Sequence, residues 1–229
     1  MDRKVVAITG AGSGLGASLA RKYSKKGYYV CLIGRTRSNL EKVAETLISD
    51  HAIYELDVTS KQDVDRVFQS ILEEIGPIDL LVNNAGLGVF SLTEKIEETA
   101  VHNMIDVNLK GIIFCTQAVL PNMKERNEGI IANVISTAGL EGKVTESVYC
   151  ASKFGVRGFT ESLLVELTDT NIMVYAAYMG GMKTAFWDGI YTEEEIQHLM
   201  EPDDVADIIM DNIKERKNLA VTEVVIKNK

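Results

Sequence analysis

The chain has 229 residues, 46% hydrophobic and 25% charged, enough for one soluble domain whose core needs neither disulfide nor metal staple. Its formal charge of −9 argues against non-specific binding to nucleic acid or an anionic membrane, both of which need clustered positive charge. The three cysteines, Cys31, Cys115 and Cys150, have no CxxC or Cys/His spacing, so reduced thiols of a cytoplasmic protein are expected, without a metal site.

Met1 to Lys4 lead straight into an apolar run with no leader-like core, and no apolar stretch approaches the ~18–20 residues of a membrane span. In chain order, a strand is predicted over 5–9 and a helix over 15–26, then a strand over 29–33 and a helix over 38–49. A strand over 52–56 precedes a helix over 61–75, and a strand over 80–83 precedes a long helical region over 94–126. Strands over 130–135 and 173–177 precede helices over 148–168 and 203–217, and a last strand runs over 220–226. The strands are nearly all apolar, as in a parallel sheet covered on both faces, so the fold class is α/β and doubly wound. Pro202, Asp203 and Asp204 suit the start of the last helix, and Lys214, Arg216 and Lys217 its end. Thr192-Glu193-Glu194-Glu195 reads as a capping box opening a short helix.

The turn after the first strand reads Thr9-Gly10-Ala11-Gly12-Ser13-Gly14-Leu15-Gly16. Such a turn needs positive φ, and a pyrophosphate must approach bare backbone at the helix N-terminus; glycine permits both. Lying between an N-terminal strand and a helical pattern, it predicts a dinucleotide site, and the lack of a following Gly-Lys-Ser/Thr excludes a P-loop. The spacing Thr-Gly-x3-Gly-x-Gly resembles that of the short-chain dehydrogenase/reductase family, in its compact single-domain branch. The resemblance continues along the chain. Asp57-Val58 is similar to the family's adenine-contacting position, and Asn83-Asn84-Ala85-Gly86 to its NNAG signature. Asn108 matches its structural and catalytic asparagine, Ser136 lies 13 positions before Tyr149, and Tyr149-Cys150-Ala151-Ser152-Lys153 is its YxxxK signature. The resemblance implies a Rossmann-type, seven-stranded parallel sheet in a single domain over 1–229, with a short substrate-covering segment around 184–202.

The second strand ends Gly34-Arg35-Thr36-Arg37, with Gly34 where NAD-preferring members carry Asp and Arg35 as in NADP-preferring ones. A carboxylate would repel a 2′-phosphate, whereas a guanidinium can bind it with two charge-assisted hydrogen bonds. NADP(H) is therefore the expected cofactor, although Ser13 stands where some NADP-specific members have a base. Tyr149 and Lys153, four apart on a helix, share a face, and a nearby ammonium is expected to lower the phenol's pKa. Tyr149 would exchange a proton with the carbonyl oxygen while Ser136 hydrogen-bonds it. By resemblance, Lys153 also binds the nicotinamide ribose and Asn108 helps hold a water chain. The family's Pro-Gly after the sixth strand reads Met179-Gly180 here, so that turn is expected to be less rigid. Gly180, Met182 and Thr184 should still meet the nicotinamide.

Phe186, Trp187, Ile190, Tyr191, Leu199 and Met200 would form an apolar cover suited to a small hydrophobic carbonyl substrate, with Leu140, Val144 and Phe90 as further lining. Lys143 and Lys183 are unremarkable as anchors for an anion. The resulting expectation is an NADP(H)-dependent reductase of ketones or aldehydes. A 3-oxoacyl-carrier-protein reductase is the alternative, although the chain lacks the Asp-Gly-Gly ending common in that group. A non-catalytic NADP-binding regulator is a remote alternative, disfavoured by the presence of both Tyr149 and Lys153. The glycine spacing disfavours a sugar-nucleotide epimerase. A homodimer or homotetramer is implied by resemblance, through apolar residues such as Ile112, Phe114, Phe154 and Phe159. Finally, residues 1–40 carry eight bases and one acid, so the acidic total conceals a basic segment around the proposed phosphate sites.

Overall fold

The computed structural model describes residues 3–214, 216–217 and 219–229. Over them β1 (Val5–Thr9), β2 (Tyr29–Gly34), β3 (His51–Glu55), β4 (Leu80–Asn83), β5 (Gly129–Val134), β6 (Ile172–Met179) and β7 (Glu223–Ile226) pair into one parallel sheet. The spatial order is β3-β2-β1-β4-β5-β6-β7. Strand alternation sends apolar side chains to both faces: Val6, Ile8, Val30 and Leu32 enter one core, and Val5, Ala7, Cys31 and Ile33 the other. The first core is closed by α1 (Gly14–Lys25), α2 (Arg37–Ala44) and α7 (Pro202–Asn212) through Leu19, Leu40 and Ile209. The second is closed by α3 (Lys61–Glu74), α5 (Gly111–Arg126) and α6 (Ser147–Glu166) through Phe68, Met123 and Leu163. The strand order reverses between β1 and β4, which opens a crevice at the carboxyl ends of the strands. No helix among the described residues is long and apolar enough to cross a membrane.

Four predicted elements differ in the structure. The second helix stops at Ala44 instead of continuing to 49, because the Ser24 hydroxyl accepts from the Ile48 and Ser49 N–H groups at 2.8 and 2.9 Å. The long region 94–126 is broken at Ile96 and Glu97, whose extended ψ angles of 121° and 144° separate a short turn from α4 (Glu98–Ile105). A π-helical stretch, Asp106–Lys110, then joins α4 to α5. The last helix ends at Asn212, where the Arg216 guanidinium donates to the Asp211 and Asn212 carbonyl oxygens; Glu215, inside the predicted span, lies outside the described residues. The capping box at Thr192 forms reciprocally, the Thr192 N–H meeting Glu195 Oε2 at 2.8 Å and the Glu195 N–H meeting Thr192 Oγ1 at 3.4 Å. No helix follows it, and residues 193–198 are successive turns. The chain is recaptured by a bridge between Met200 and Met182, too soon to repay helix nucleation.

Candidate active site

The glycine turn joins β1 to α1 at the crevice. Gly10 and Gly14 have φ of +66° and +51°, the left-handed region that a side chain resists. A Cβ on Gly14 would stand 3.0 Å from Thr184 Cγ2 and close the gap between this turn and the loop after β6. Asn84 ties the turn to the end of β4, its amide donating to the Thr9 and Gly10 carbonyl oxygens at 3.0 and 3.2 Å. The Thr9 hydroxyl accepts from the Asn84 and Ala85 N–H groups at 3.0 Å each. Gly16 does not line the crevice. A Cβ there would sit 2.3 Å from the Gly10 oxygen, so Gly16 allows α1 to pack on β1.

A cleft of about 480 Å³ runs from this turn across the sheet edge. Gly10, Gly12, Ser13, Gly14, Leu15, Arg35, Asp57, Val58, Asn84, Ala85, Gly86, Ser136, Tyr149, Lys153, Gly180, Met182 and Thr184 all line it. Arg35 is exposed and makes no ion pair among the described residues, whereas Arg37 is paired with Glu41 at 2.9 Å and does not line the cleft. Other early bases are also matched from later segments, Arg3 by Asp50 and Lys22 by Asp207. Of the described bases among residues 1–40, Arg35 is the one that lines the cleft.

Ser136 leaves β5 in extended backbone, its hydroxyl accepting from the Ala138 N–H at 3.1 Å. Tyr149 and Lys153 lie one turn apart on α6, both buried, and Lys153 Nζ is 5.7 Å from the Tyr149 ring centroid and donates to the Val134 oxygen at 3.4 Å. The expected lowering of the phenol by Lys153 does not occur. Burial pushes the Tyr149 phenol above its ordinary range, only partly offset by a hydrogen bond from Ser136, and pushes the Lys153 ammonium down to about 8. Low dielectric disfavours both charges, so the pair favours a protonated phenol.

Asn108 does not line the cleft either. Fully buried in the π-helical stretch, its amide donates to the Leu87 oxygen at 2.8 Å and to Ser152 Oγ at 3.0 Å, and its Oδ1 accepts from the Leu87 N–H at 2.9 Å. It grips the cleft-lining Leu87 from behind. A Cβ on Gly86 would stand 3.4 Å from Asn108 Oδ1 and 3.6 Å from Lys153 Nζ, so Gly86 lets these groups crowd together. The turn after β6 is also braced despite its lack of proline. The Gly180 N–H bonds to the Ile226 oxygen at 2.9 Å, and the Asn228 amide donates to the Gly181 oxygen at 3.1 Å.

Of the expected cover, Phe186, Trp187 and Phe90 line the cleft, but Ile190, Tyr191, Leu199 and Met200 do not. Leu140 packs against the core beneath α6, and Val144 is 84% exposed, so neither lines it. Trp187 Nε1 donates to the Met182 oxygen at 2.9 Å, while its ring lies 5.6 Å from Phe90 and 5.0 Å from Phe186. Phe90 and Phe186 in turn lie 5.5 and 6.1 Å from Tyr149. Lys183 is turned away toward Gln197 and Glu201. Sequence reasoning missed Glu146, Leu87 and Gly88 as lining. Glu146 precedes Tyr149 by three residues, a helical spacing that could have revealed it.

Sequence and structure comparisons agree with this geometry. The short chain dehydrogenase family model matches residues 4–195. An oxidoreductase of Staphylococcus epidermidis is 33% identical over 230 residues, covering 99% of this chain and 98% of its own. The chain belongs to the short-chain dehydrogenase/reductase family, and it is an oxidoreductase. An alcohol dehydrogenase from the archaeon Thermococcus sibiricus, complexed with 5-hydroxy-NADP, superposes with a TM-score of 0.90 at 27% identity, over 98% of this chain and 96% of that one. A serine dehydrogenase complexed with NADP+ superposes with a TM-score of 0.91 at 31% identity, over 96% and 93% of the two chains. Similar solved structures include complexes with NADP and with NAD.

Proposed function

We propose that the chain is an NADP(H)-dependent reductase of ketones or aldehydes in which Tyr149 is the general acid. The reading is carried by one observation: Ser136, after β5, and Tyr149 and Lys153, on α6, line the same cleft as the glycine turn after β1 and Arg35 after β2. The residues fit the cofactor. The turn at Gly10 and Gly14 is free of side chains where a pyrophosphate would meet the N-terminus of α1, Arg35 suits a 2′-phosphate, and Asp57 and Val58 suit the adenine. Gly180, Met182 and Thr184 would flank the nicotinamide end. Bound NADPH supplies the hydride.

The chain's own part is to hold the carbonyl and deliver a proton. Ser136 donates a hydrogen bond to the carbonyl oxygen, stabilising its developing negative charge. Tyr149, kept protonated by burial, transfers its phenolic proton to that oxygen. Lys153 stabilises the phenolate left behind, and Asn108 acts as a positioning residue through the Leu87 peptide. Phe90, Phe186 and Trp187, in the cover around 184–202 and opposite it, exclude water from the reacting groups. The test is NADPH and NADH oxidation against a panel of ketones, aldehydes, quinones and acyl-thioesters. Carbonyl reduction with a higher kcat/KM for NADPH is expected; a preference for NADH would refute the cofactor assignment.

A further inference from the structure

The substrate end of the cleft holds a carboxylate that this proton chemistry does not use. Glu146 is the N-cap of α6 but makes no side-chain cap bond. It stands three residues ahead of Tyr149 at the start of the same helix, and both residues line the cleft. Glu146 has no ion pair among the described residues. Lys143 also lines the cleft and is felt by Glu146 electrostatically, but its Nζ donates to Thr137 Oγ1 at 2.9 Å and forms no ion pair with Glu146.

The backbone just before Glu146 is unusual. Thr145, a β-branched residue, has φ of +66°, a conformation that costs about 1–3 kcal/mol and persists only where the surroundings impose it. Here the Ser91 N–H clasps the Thr145 oxygen at 2.9 Å. Around Tyr149 the same end of the cleft carries the faces and edges of Phe90, Phe186 and Trp187. Aromatic faces beside a half-buried carboxylate are the chemistry that recognises an ammonium group, through ion attraction and cation–π contact together. An anion at this place would meet the unpaired carboxylate instead.

We propose that Glu146 is a specificity-determining residue that selects carbonyl substrates bearing an amino cation one or two carbons from the reacting carbon. The inference rests on the carbonyl-reductase reading and narrows its substrate class from hydrophobic carbonyls to amino ketones. Three ketones of nearly equal size test it: aminoacetone, 2-butanone and pyruvate, which are cationic, neutral and anionic. The wild-type protein should reduce aminoacetone with a kcat/KM at least tenfold above that for 2-butanone, and further still above that for pyruvate. The ratio of aminoacetone to 2-butanone should fall at least tenfold in Glu146→Gln and persist in Glu146→Asp. In the NADP+ complex, propylammonium should bind by calorimetry to wild type and Glu146→Asp but not to Glu146→Gln. A ratio near one that Glu146→Gln leaves unchanged, or a preference for pyruvate, would overturn the role of Glu146 while leaving carbonyl reduction intact. Failure to reduce any ketone would count against the functional reading, and propylammonium binding would then decide the inference alone.

Discussion

Replacing Gly16 with alanine should separate the helix carrying the phosphate turn from the strand beneath it. The added Cβ would lie 2.3 Å from the Gly10 oxygen and 2.7 Å from Asn84 Nδ2, roughly an ångström short of ordinary contact. Both neighbours are fixed, one as backbone and the other by its bonds to Thr9 and Gly10. Overpacking of this kind costs about 1–3 kcal/mol. Losing the two Asn84 bonds adds about 0.5–1.5 kcal/mol each, and alanine's helix propensity returns about 1 kcal/mol. The net is about 3 kcal/mol, a fall in melting temperature of about 6–12 °C for a chain of this size. Binding of NADPH should weaken as well, because the displaced turn carries the anion-facing N–H groups. Gly158→Ala is the internal control: within α6, with nothing inside 4 Å of its added Cβ, it should stabilise by about 0.5–1 kcal/mol. Thermal unfolding and calorimetric titration measure both variants. A Gly16→Ala protein that melts within a degree or two of wild type would refute the packing argument.

Arg35→Ala removes charge-assisted bonds worth about 1–3 kcal/mol after screening at this exposed site. The NADPH Kd should therefore rise about 10–100-fold with that for NADH unchanged; equal weakening of both would refute the 2′-phosphate assignment. Lys153→Met should be more stable than wild type at neutral pH, because the folded Lys153 titrates near about 8 and the unfolded one near 10.5. Between those values the unfolded wild type holds the extra proton, so wild-type stability gains with rising pH and the gap to the variant should narrow. Chemical denaturation at a series of pH values reads this directly; a gap that widens would contradict it. Phe154, 42% exposed on α6, is an apolar residue for a homo-oligomer to cover, as is Val165 at 76%, whereas Leu163 is buried in the core. Phe154→Glu should shift the mass measured by light scattering toward the monomer, and an unchanged mass would exclude this face.

The fold was legible because strand alternation and helix spacing are local: six of the seven predicted strands fall within two residues of those in the structure at each end. Boundaries failed where a distant group intervened. Ser24 ended α2, and the Met182–Met200 bridge pulled the capped segment at Thr192 away from a helix. The same division holds at the site. Gly10, Gly14, Ser136, Tyr149 and Lys153 stand out in sequence because the turn and the helix face demand particular residue types. That Gly16 serves packing, that Asn108 works from behind Leu87, and that Glu146 rather than Lys183 reaches the cleft depend on tertiary packing, which spacing does not encode. The direction of the Tyr149 shift was misjudged for a related reason. Spacing reveals the neighbouring ammonium but not the burial that outweighs it.

The central claim is that Tyr149 hands a proton to a carbonyl in the NADPH-bound cleft. Its most direct test is the rate of NADPH oxidation with a reducible ketone by wild type and Tyr149→Phe, alongside calorimetric NADPH binding to both. Turnover should fall about 10²–10⁴-fold in the variant, the usual contribution of a general acid, while NADPH affinity stays nearly unchanged. A Tyr149→Phe protein that binds NADPH and keeps turnover within a few-fold of wild type would contradict the account.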